Sequence, residues 1–250
     1  MTRNAHAWPY PRLIAHRGAG TTAPENTLAA MRAGAWRGYT MVEFDVRLSR
    51  DGVAVLLHDD LVDRTSNGHG KAGDLTFAEL SRLDFGGWHS SRYAGEPIPT
   101  LYAVAAFTQA NGVYSNIEIK PSPGAEVETG REVAQLAARL WNDPASPPLL
   151  SSFSETALEA ARQAAPQLPR ALLLDGPPPS DWPARMQRLQ CIALNIDETH
   201  ATPEAIGDAH AKGYKIGAWT VSEPSRVREL PDWGCDTVFI DALEAIKPDF

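Results

Sequence analysis

Short apolar runs alternate with amphipathic or alanine-rich stretches along almost the whole chain, and that alternation leaves few folds open. The runs Leu13–Ala15, Met41–Val46, Asn116–Ile119, Leu149–Ser152, Ala171–Leu174, Ile192–Ile196, Ile216–Val221 and Thr237–Ile240 have the length and composition of strands. Between most of them lie Thr27–Arg37, Val127–Trp141, Glu155–Ala165, Trp182–Leu189, Glu204–Lys212 and Ser225–Leu230, which carry helical patterning. Consecutive parallel strands need a long crossover, so strand–helix alternation predicts a parallel α/β sheet. Eight such strands in 250 residues match the size of a TIM (β/α)8 barrel. An open doubly wound sheet is the competing architecture, but no Gly-x-Gly-x-x-Gly follows the first strand.

One region breaks the alternation. Asp51-Gly52 between two apolar runs is a hairpin signal, so Val53–Leu57 is expected to return antiparallel to Met41–Val46. A segment from about Asp59 to Pro99 is then rich in Gly, Ser, Asn and Asp. It holds one helix candidate, Thr76–Leu80, with a capping box at Thr76 and Glu79. About 40 residues are too few for a self-sufficient core. The segment therefore reads as a small insertion (about 59–99) after strand two, within a single domain spanning residues 1–250.

Composition sets outer limits. Hydrophobic residues make up 43% of the chain and charged residues 22%, as in soluble globular proteins. A net charge of −8 argues against non-specific binding to nucleic acid or to anionic membranes. Cys191 and Cys235 form no disulfide framework and no metal-ligand pattern, and read as buried thiols of a reducing compartment. Met1–Arg12 lacks the apolar stretch of a secretory signal, and no apolar run reaches 18 residues. The expected location is the cytoplasm, with no membrane anchor, as a monomer or homodimer.

The chemistry is concentrated where polar groups interrupt apolar strands. A period of two puts Glu43 and Asp45 on one face of their strand and Val42, Phe44 and Val46 on the other. Carboxylates about 6–7 Å apart along a strand repel one another unless a cation or solvent separates them. The same device places Asn116, Glu118 and Lys120 on one face, near the C-terminal strand end where barrel active sites are built. Glu43, Asp45 and Glu118 together suggest a site for a hard divalent cation; each alone would equally suit a solvated edge. His16 and His58 stand directly after strands, and counting back from the hairpin turn sets His58 opposite Glu43 or Phe44. Two imidazoles beside one cation suggest a general base and a general acid.

Other residues have two readings each. Arg17 beside Gly18-Ala19-Gly20 suits a pair of phosphate oxygens. Asn26 is a good helix N-cap and equally a candidate for a functional role, and Glu25 could orient His16 or Arg17 or simply favour the helix start. Trp219 is either core or an apolar wall for a small substrate. Asn195 and Asp197 either contact hydroxyls or cap a turn. His6, His69, His89, His200 and His210 read as surface residues.

The ordered set Leu13-Ile14-Ala15-His16-Arg17-Gly18, Pro24-Glu25-Asn26-Thr27, Glu43-Phe44-Asp45-Val46, Asp51-Gly52, Leu57-His58-Asp59, Asp63–Gly68, Ile98–Leu101, Asn116–Lys120 and Ala218–Val221 resembles the glycerophosphodiester phosphodiesterase family over nearly the whole chain. The resemblance implies a TIM barrel that hydrolyses small-molecule glycerophosphodiesters to sn-glycerol 3-phosphate and an alcohol. It implies one divalent metal, Mg2+ or Ca2+, on Glu43, Asp45 and Glu118, and acid–base work by His16 and His58. It makes Arg17 and Lys120 phosphate contacts and Trp219 part of the glycerol pocket. Ile240-Asp241-Ala242-Leu243 departs from the pattern, since similar proteins often carry a proline two residues after the Asp; an altered loop is expected there. Attack on phosphorus by the neighbouring glycerol hydroxyl, giving a cyclic phosphate, and direct attack by water are both open. A lipid-cleaving phospholipase C or D relative and a catalytically inactive phosphodiester-binding module are the competing functions. The second would be expected to lack a histidine or a carboxylate, and all five are present.

Overall fold

In the computed structural model, which describes residues 8–248, eight parallel strands close into a ring. They are β1 (Leu13–Ala15), β2 (Met41–Leu48), β4 (Tyr114–Ile119), β5 (Leu149–Ser152), β6 (Arg170–Leu174), β7 (Ala193–Asp197), β8 (Lys215–Val221) and β9 (Thr237–Ile240). Closure is made by β1, which pairs with β9 through Leu13–Val238, Ile14–Phe239 and Ala15–Ile240 and with β2 through Ala15–Val42. The expected TIM barrel is the fold observed.

Strand β3 (Ala54–Leu56) lies outside the ring. It pairs antiparallel with the far end of β2 through Val46–Leu56, Arg47–Val55 and Leu48–Ala54. The turn forms because Gly52 takes φ +78°, and the Ser49 side chain, bonded to Asp51, accepts the Val53 N–H. Because β1 ends level with Val42, β3 occupies the same edge of β2 further toward the barrel mouth. His16 and His58, which follow these two strands, are thereby brought to one edge of β2.

The helices α1 (Leu28–Trp36), α4 (Glu126–Leu140), α5 (Glu155–Ala164), α6 (Trp182–Leu189), α7 (Pro203–Ala211) and α8 (Pro224–Asp232) match the six stretches read from the sequence. Thr27, Ser154 and Thr202 cap α1, α5 and α7 by accepting the amide three residues on. One helix was not legible: α3 (Leu101–Ala110), capped by Thr100. Its sequence, Leu-Tyr-Ala-Val-Ala-Ala-Phe-Thr-Gln-Ala, is apolar almost all round and carries little amphipathic signal. In the insertion the capping box at Thr76 and Glu79 is present, but it starts only a single turn, α2 (Phe77–Leu80). The insertion packs on the hairpin through its own apolar cluster of Val55, Leu57, Val62, Leu80, Phe85 and Ile98.

Two apolar regions sandwich the barrel wall. Val42, Phe44 and Val46 point outward into a large core shared with the helices. Inside, Ile14, Met41, Leu149, Ala171, Ala193 and Phe239 fill the bottom of the barrel with Tyr10 beneath them. Climbing β2, the inward residues change from Met41 to Glu43 to Asp45; climbing β4 they change from Tyr114 to Asn116 to Glu118. The interior thus passes from apolar to acidic toward the C-terminal strand ends.

Cys191 and Cys235 are buried free thiols, and burial raises each to about 12. Among the described residues no helix is long and apolar enough to cross a membrane.

Candidate active site

The register of β2 against β4 sets Glu43 beside Asn116 and Asp45 beside Glu118. One oxygen from each of Glu43, Asp45 and Glu118 lies within 4.8 Å of the others, and all three residues are buried. Burial, reinforced by Asp45 and Glu118, drives the Glu43 carboxyl well above its ordinary range. Burial and then Asp45 push Glu118 up to about 7. Asp45 goes the other way: burial would raise it, but Lys120, His58 and Arg17 together hold it down. Glu43 Oε1 is buried without a hydrogen-bond partner. An all-oxygen donor set with an unpaired buried oxygen, in carboxylates that resist ionising together, fits a hard divalent cation.

Of the two readings open for Asn26, cap or site residue, the structure takes the second. Thr27, not Asn26, caps α1. Asn26, in the left-handed region at φ +58°, donates from Nδ2 to Asp45 Oδ2 at 2.8 Å and accepts the Asp45 N–H at 3.0 Å. It fixes one carboxylate of the trio.

His16 follows β1, with its Nδ1–H bonded to Asp241 Oδ1 at 2.6 Å, just past β9. Its Nε2 is 3.8 Å from Glu43 Oε2. Burial would raise the Asp241 carboxyl, but the His16 bond and charge outweigh it and keep it ionised below the ordinary range. Arg17 has a left-handed backbone (φ +50°) that aims its N–H at Glu43 Oε2, 2.9 Å away. Its guanidinium reaches Glu25 at 2.7 Å and lies 3.7 Å from Asp45. Glu25 therefore orients Arg17, not His16.

The hairpin brings in His58. The Leu57 N–H bonds the Asp45 carbonyl at 3.1 Å, and the register extends to set His58 level with Phe44, one of the two expected positions. The His58 Nδ1–H donates to Asp59 at 2.7 Å, leaving Nε2 as the free ring nitrogen. Buried Arg47 holds the His58 carbonyl with Nε and Nη2 at 3.2 and 2.8 Å. Burial lowers the His58 imidazole below its ordinary value, with Asp45 opposing and Arg17 adding to the effect. Arg64, from the insertion, joins Asp59 to Glu25 with four hydrogen bonds of 2.7–3.1 Å.

His16, Arg17, Glu43, His58 and Glu118 line a cavity of about 320 Å3 at the barrel mouth. Lys120 enters it, 2.8 Å from Glu118 and 3.8 Å from Asp45. Trp219 forms its apolar side and meets Phe153 edge-to-face at 5.3 Å. Lys120 Nζ lies 5.3 Å from the Phe153 ring centroid. Seven of the eight residues expected at the site line this cavity, and Asp45 joins them through its contact with Glu43 and Glu118. Asp241, Asp59, Arg64 and Phe153 were not assigned roles from sequence. A larger hollow of about 530 Å3 at the opposite end of the barrel, between Tyr10, Trp141 and Pro169, has no histidine, lysine or arginine in its wall.

The remaining polar candidates lie apart from the carboxylate trio or in local contacts, except that buried Asn195 leaves both amide atoms without a hydrogen-bond partner. Asp197 accepts the Thr199 N–H and caps that turn. Asn195 is fully buried inside the barrel. His69 and His210 are paired with Asp63 and Asp236. His89 is not a free surface residue: it is half-buried and its Nε2 bonds the Thr21 carbonyl at 3.0 Å. His6 lies outside the described residues.

Known proteins resemble this chain along nearly its whole length. Residues 16–245 match the model of the glycerophosphoryl diester phosphodiesterase family. A glycerophosphodiester phosphodiesterase of Caldanaerobacter subterraneus subsp. tengcongensis is 32% identical over 234 residues, covering 94% of this chain and 95% of its own length. A solved phosphodiesterase of Oleispira antarctica, in complex with the product sn-glycerol-3-phosphate, superposes with a TM-score of 0.91 at 36% identity over 95% of both chains. A glycerophosphodiester phosphodiesterase structure from Agrobacterium tumefaciens gives 0.77 at 27% identity, covering 96% of this chain and 97% of the other. The barrel and the match over nearly its whole length establish that this chain belongs to the glycerophosphoryl diester phosphodiesterase family, a family of hydrolases.

Proposed function

We propose that this chain hydrolyses small glycerophosphodiesters, such as glycerophosphocholine and glycerophosphoethanolamine, to sn-glycerol 3-phosphate and an alcohol. The observation that carries the reading is the convergence of three buried carboxylates and two carboxylate-held imidazoles on one cavity. The sn-glycerol-3-phosphate in the Oleispira relative supports the product.

Glu43, Asp45 and Glu118 would hold one Mg2+ or Ca2+, which bound there supplies electrostatic stabilisation of charge on the phosphoryl oxygens. Arg17 and Lys120 add fixed positive charge at the same oxygens, in a cavity where low dielectric strengthens their effect. Trp219 and Phe153 form the apolar wall against the glycerol carbons. His58, kept neutral by burial, is the base that takes a proton from the attacking oxygen at Nε2. His16 is the acid: with Nδ1–H held by Asp241, its imidazolium form carries a second proton on Nε2 and gives it to the leaving oxygen.

The test is release of sn-glycerol 3-phosphate from glycerophosphocholine by the wild-type protein and by His16→Ala and His58→Ala. Each substitution is expected to reduce turnover by about 10²–10⁴-fold while leaving the circular dichroism spectrum unchanged. Wild-type turnover in either variant would overturn the assignment.

A further inference from the structure

We propose that the inserted segment builds a second chamber for the leaving alcohol, in which Trp88 favours alcohols that carry an ammonium group. This rests on the diesterase reading above and concerns the half of the substrate that the catalytic cavity does not hold. A second cavity of about 410 Å3 adjoins the first, and the two share His16, Arg17 and Thr220 as a common wall. Glu43, Glu118, Lys120 and the Phe153–Trp219 wall all lie on one side of it. A diester has two substituents on phosphorus. With glycerol and the phosphoryl group against the carboxylates, the other substituent projects past His16, the proposed proton donor to its oxygen.

The far walls of this chamber come from Thr21, Glu25, Asp241 and the insertion residues Arg64, Trp88 and His89. Trp88 has 41% of its surface exposed. Its indole N–H is already given to the Phe85 carbonyl at 2.9 Å, so what it offers a ligand is its π surface. The mounting is fixed. Asp84 accepts the N–H groups of Gly86 and Gly87, the Trp88 ring meets His89 edge-to-face at 5.6 Å, and His89 is tied to the Thr21 carbonyl across the cleft. The Arg64 charge is absorbed by Glu25 and Asp59 together, and Asp241 adds a further carboxylate to the rim. An exposed indole beside carboxylates, with its neighbouring guanidinium doubly paired, suits a cation more than an anion or a polyol.

The experiment compares kcat/KM for glycerophosphocholine and for glycerophosphoglycerol in wild type, Trp88→Phe and Trp88→Leu, together with competitive inhibition by sn-glycerol 3-phosphate. Trp88→Leu keeps apolar bulk but lacks the ring. It is expected to lower the choline-to-glycerol preference about fivefold, while Trp88→Phe keeps most of it and the inhibition constant is unchanged in both. An unchanged preference, an equal loss on both diesters, or weakened product inhibition in step with the loss would overturn the proposal. Hydrolysis of neither diester by the folded wild-type protein would instead contradict the diesterase reading, and the chamber's assignment would fall with it.

Discussion

His16 Nδ1 and Asp241 Oδ1 are 2.6 Å apart although 225 positions separate them in the chain. Closure of the ring between β1 and β9 makes the contact, so the last strand orients a histidine delivered by the first. A carboxylate that holds Nδ1–H fixes the tautomer and presents Nε2 to the reaction. Asp241→Asn is expected to lower kcat roughly 10²-fold on diesters of either head group, with the fold intact by circular dichroism. Unchanged kcat would show that His16 needs no such orientation.

Gly20 protects that contact. A Cβ at this position would lie 2.0 Å from the Asp241 carbonyl oxygen, and the residue sits at φ +53°. Its own N–H bonds the His16 carbonyl at 2.7 Å, and the next residue's N–H bonds the Asp241 carbonyl at 3.1 Å. Gly20→Ala must push the two strand ends apart, so it is expected to reduce kcat even though residue 20 bears no chemical group. Steady-state kinetics beside thermal melting decides this: wild-type turnover in a folded Gly20→Ala protein would contradict the account.

Asn26 offers a stability test. Removing its amide leaves a buried Asp45 N–H and carboxylate oxygen without their partner. Such unsatisfied groups cost about 1–3 kcal/mol. Urea denaturation of Asn26→Ala should show that loss, and an unchanged midpoint and slope would argue against the role.

Glu118 predicts a pH dependence with a definite sign. Held at about 7 in the fold against an ordinary value of 4.5, it keeps its proton between those values while the unfolded chain has lost its own. The folded state then binds more protons, so this group's contribution to stability falls as pH rises through that window. His58, lowered by burial, contributes a slope of the opposite sign below its ordinary value of 6.5. Melting temperatures in EDTA at pH 5 and pH 7 should therefore be compared between wild type and Glu118→Gln. The variant should gain on wild type as pH rises, and no relative gain would contradict the assigned environment.

Most of the barrel could be read from the sequence because its strands are short apolar runs flanked by capped, amphipathic helices. Helix α3 escaped because Leu101–Ala110 has no polar face to give it a period. The acidic trio was legible because strand alternation alone aligns Glu43 with Asp45 and Glu118 with Lys120, and the hairpin count narrowed His58 to Glu43 or Phe44, of which the register has Phe44. Asp241 and Arg64 were not legible, since their partners depend on ring closure and on how the insertion folds back, neither of which leaves a local pattern. The glycines of Gly18-Ala19-Gly20 carried little signal of their own, and the close approach of Gly20 to Asp241 is a packing reason for one of them that no local pattern shows. Asn26 stayed ambiguous between cap and site residue because it stands next to the true cap, Thr27.

The central claim is that the carboxylate trio holds a divalent cation on which diester hydrolysis depends. It is tested most directly by measuring sn-glycerol 3-phosphate release from glycerophosphocholine before chelation, after exhaustive EDTA treatment, and after Mg2+ or Ca2+ is returned. The account predicts release that EDTA abolishes and at least one of the two ions restores, with no restoration in a Glu43→Gln, Asp45→Asn double variant. Full release from the metal-stripped protein, or none from the protein supplied with either ion, would contradict it.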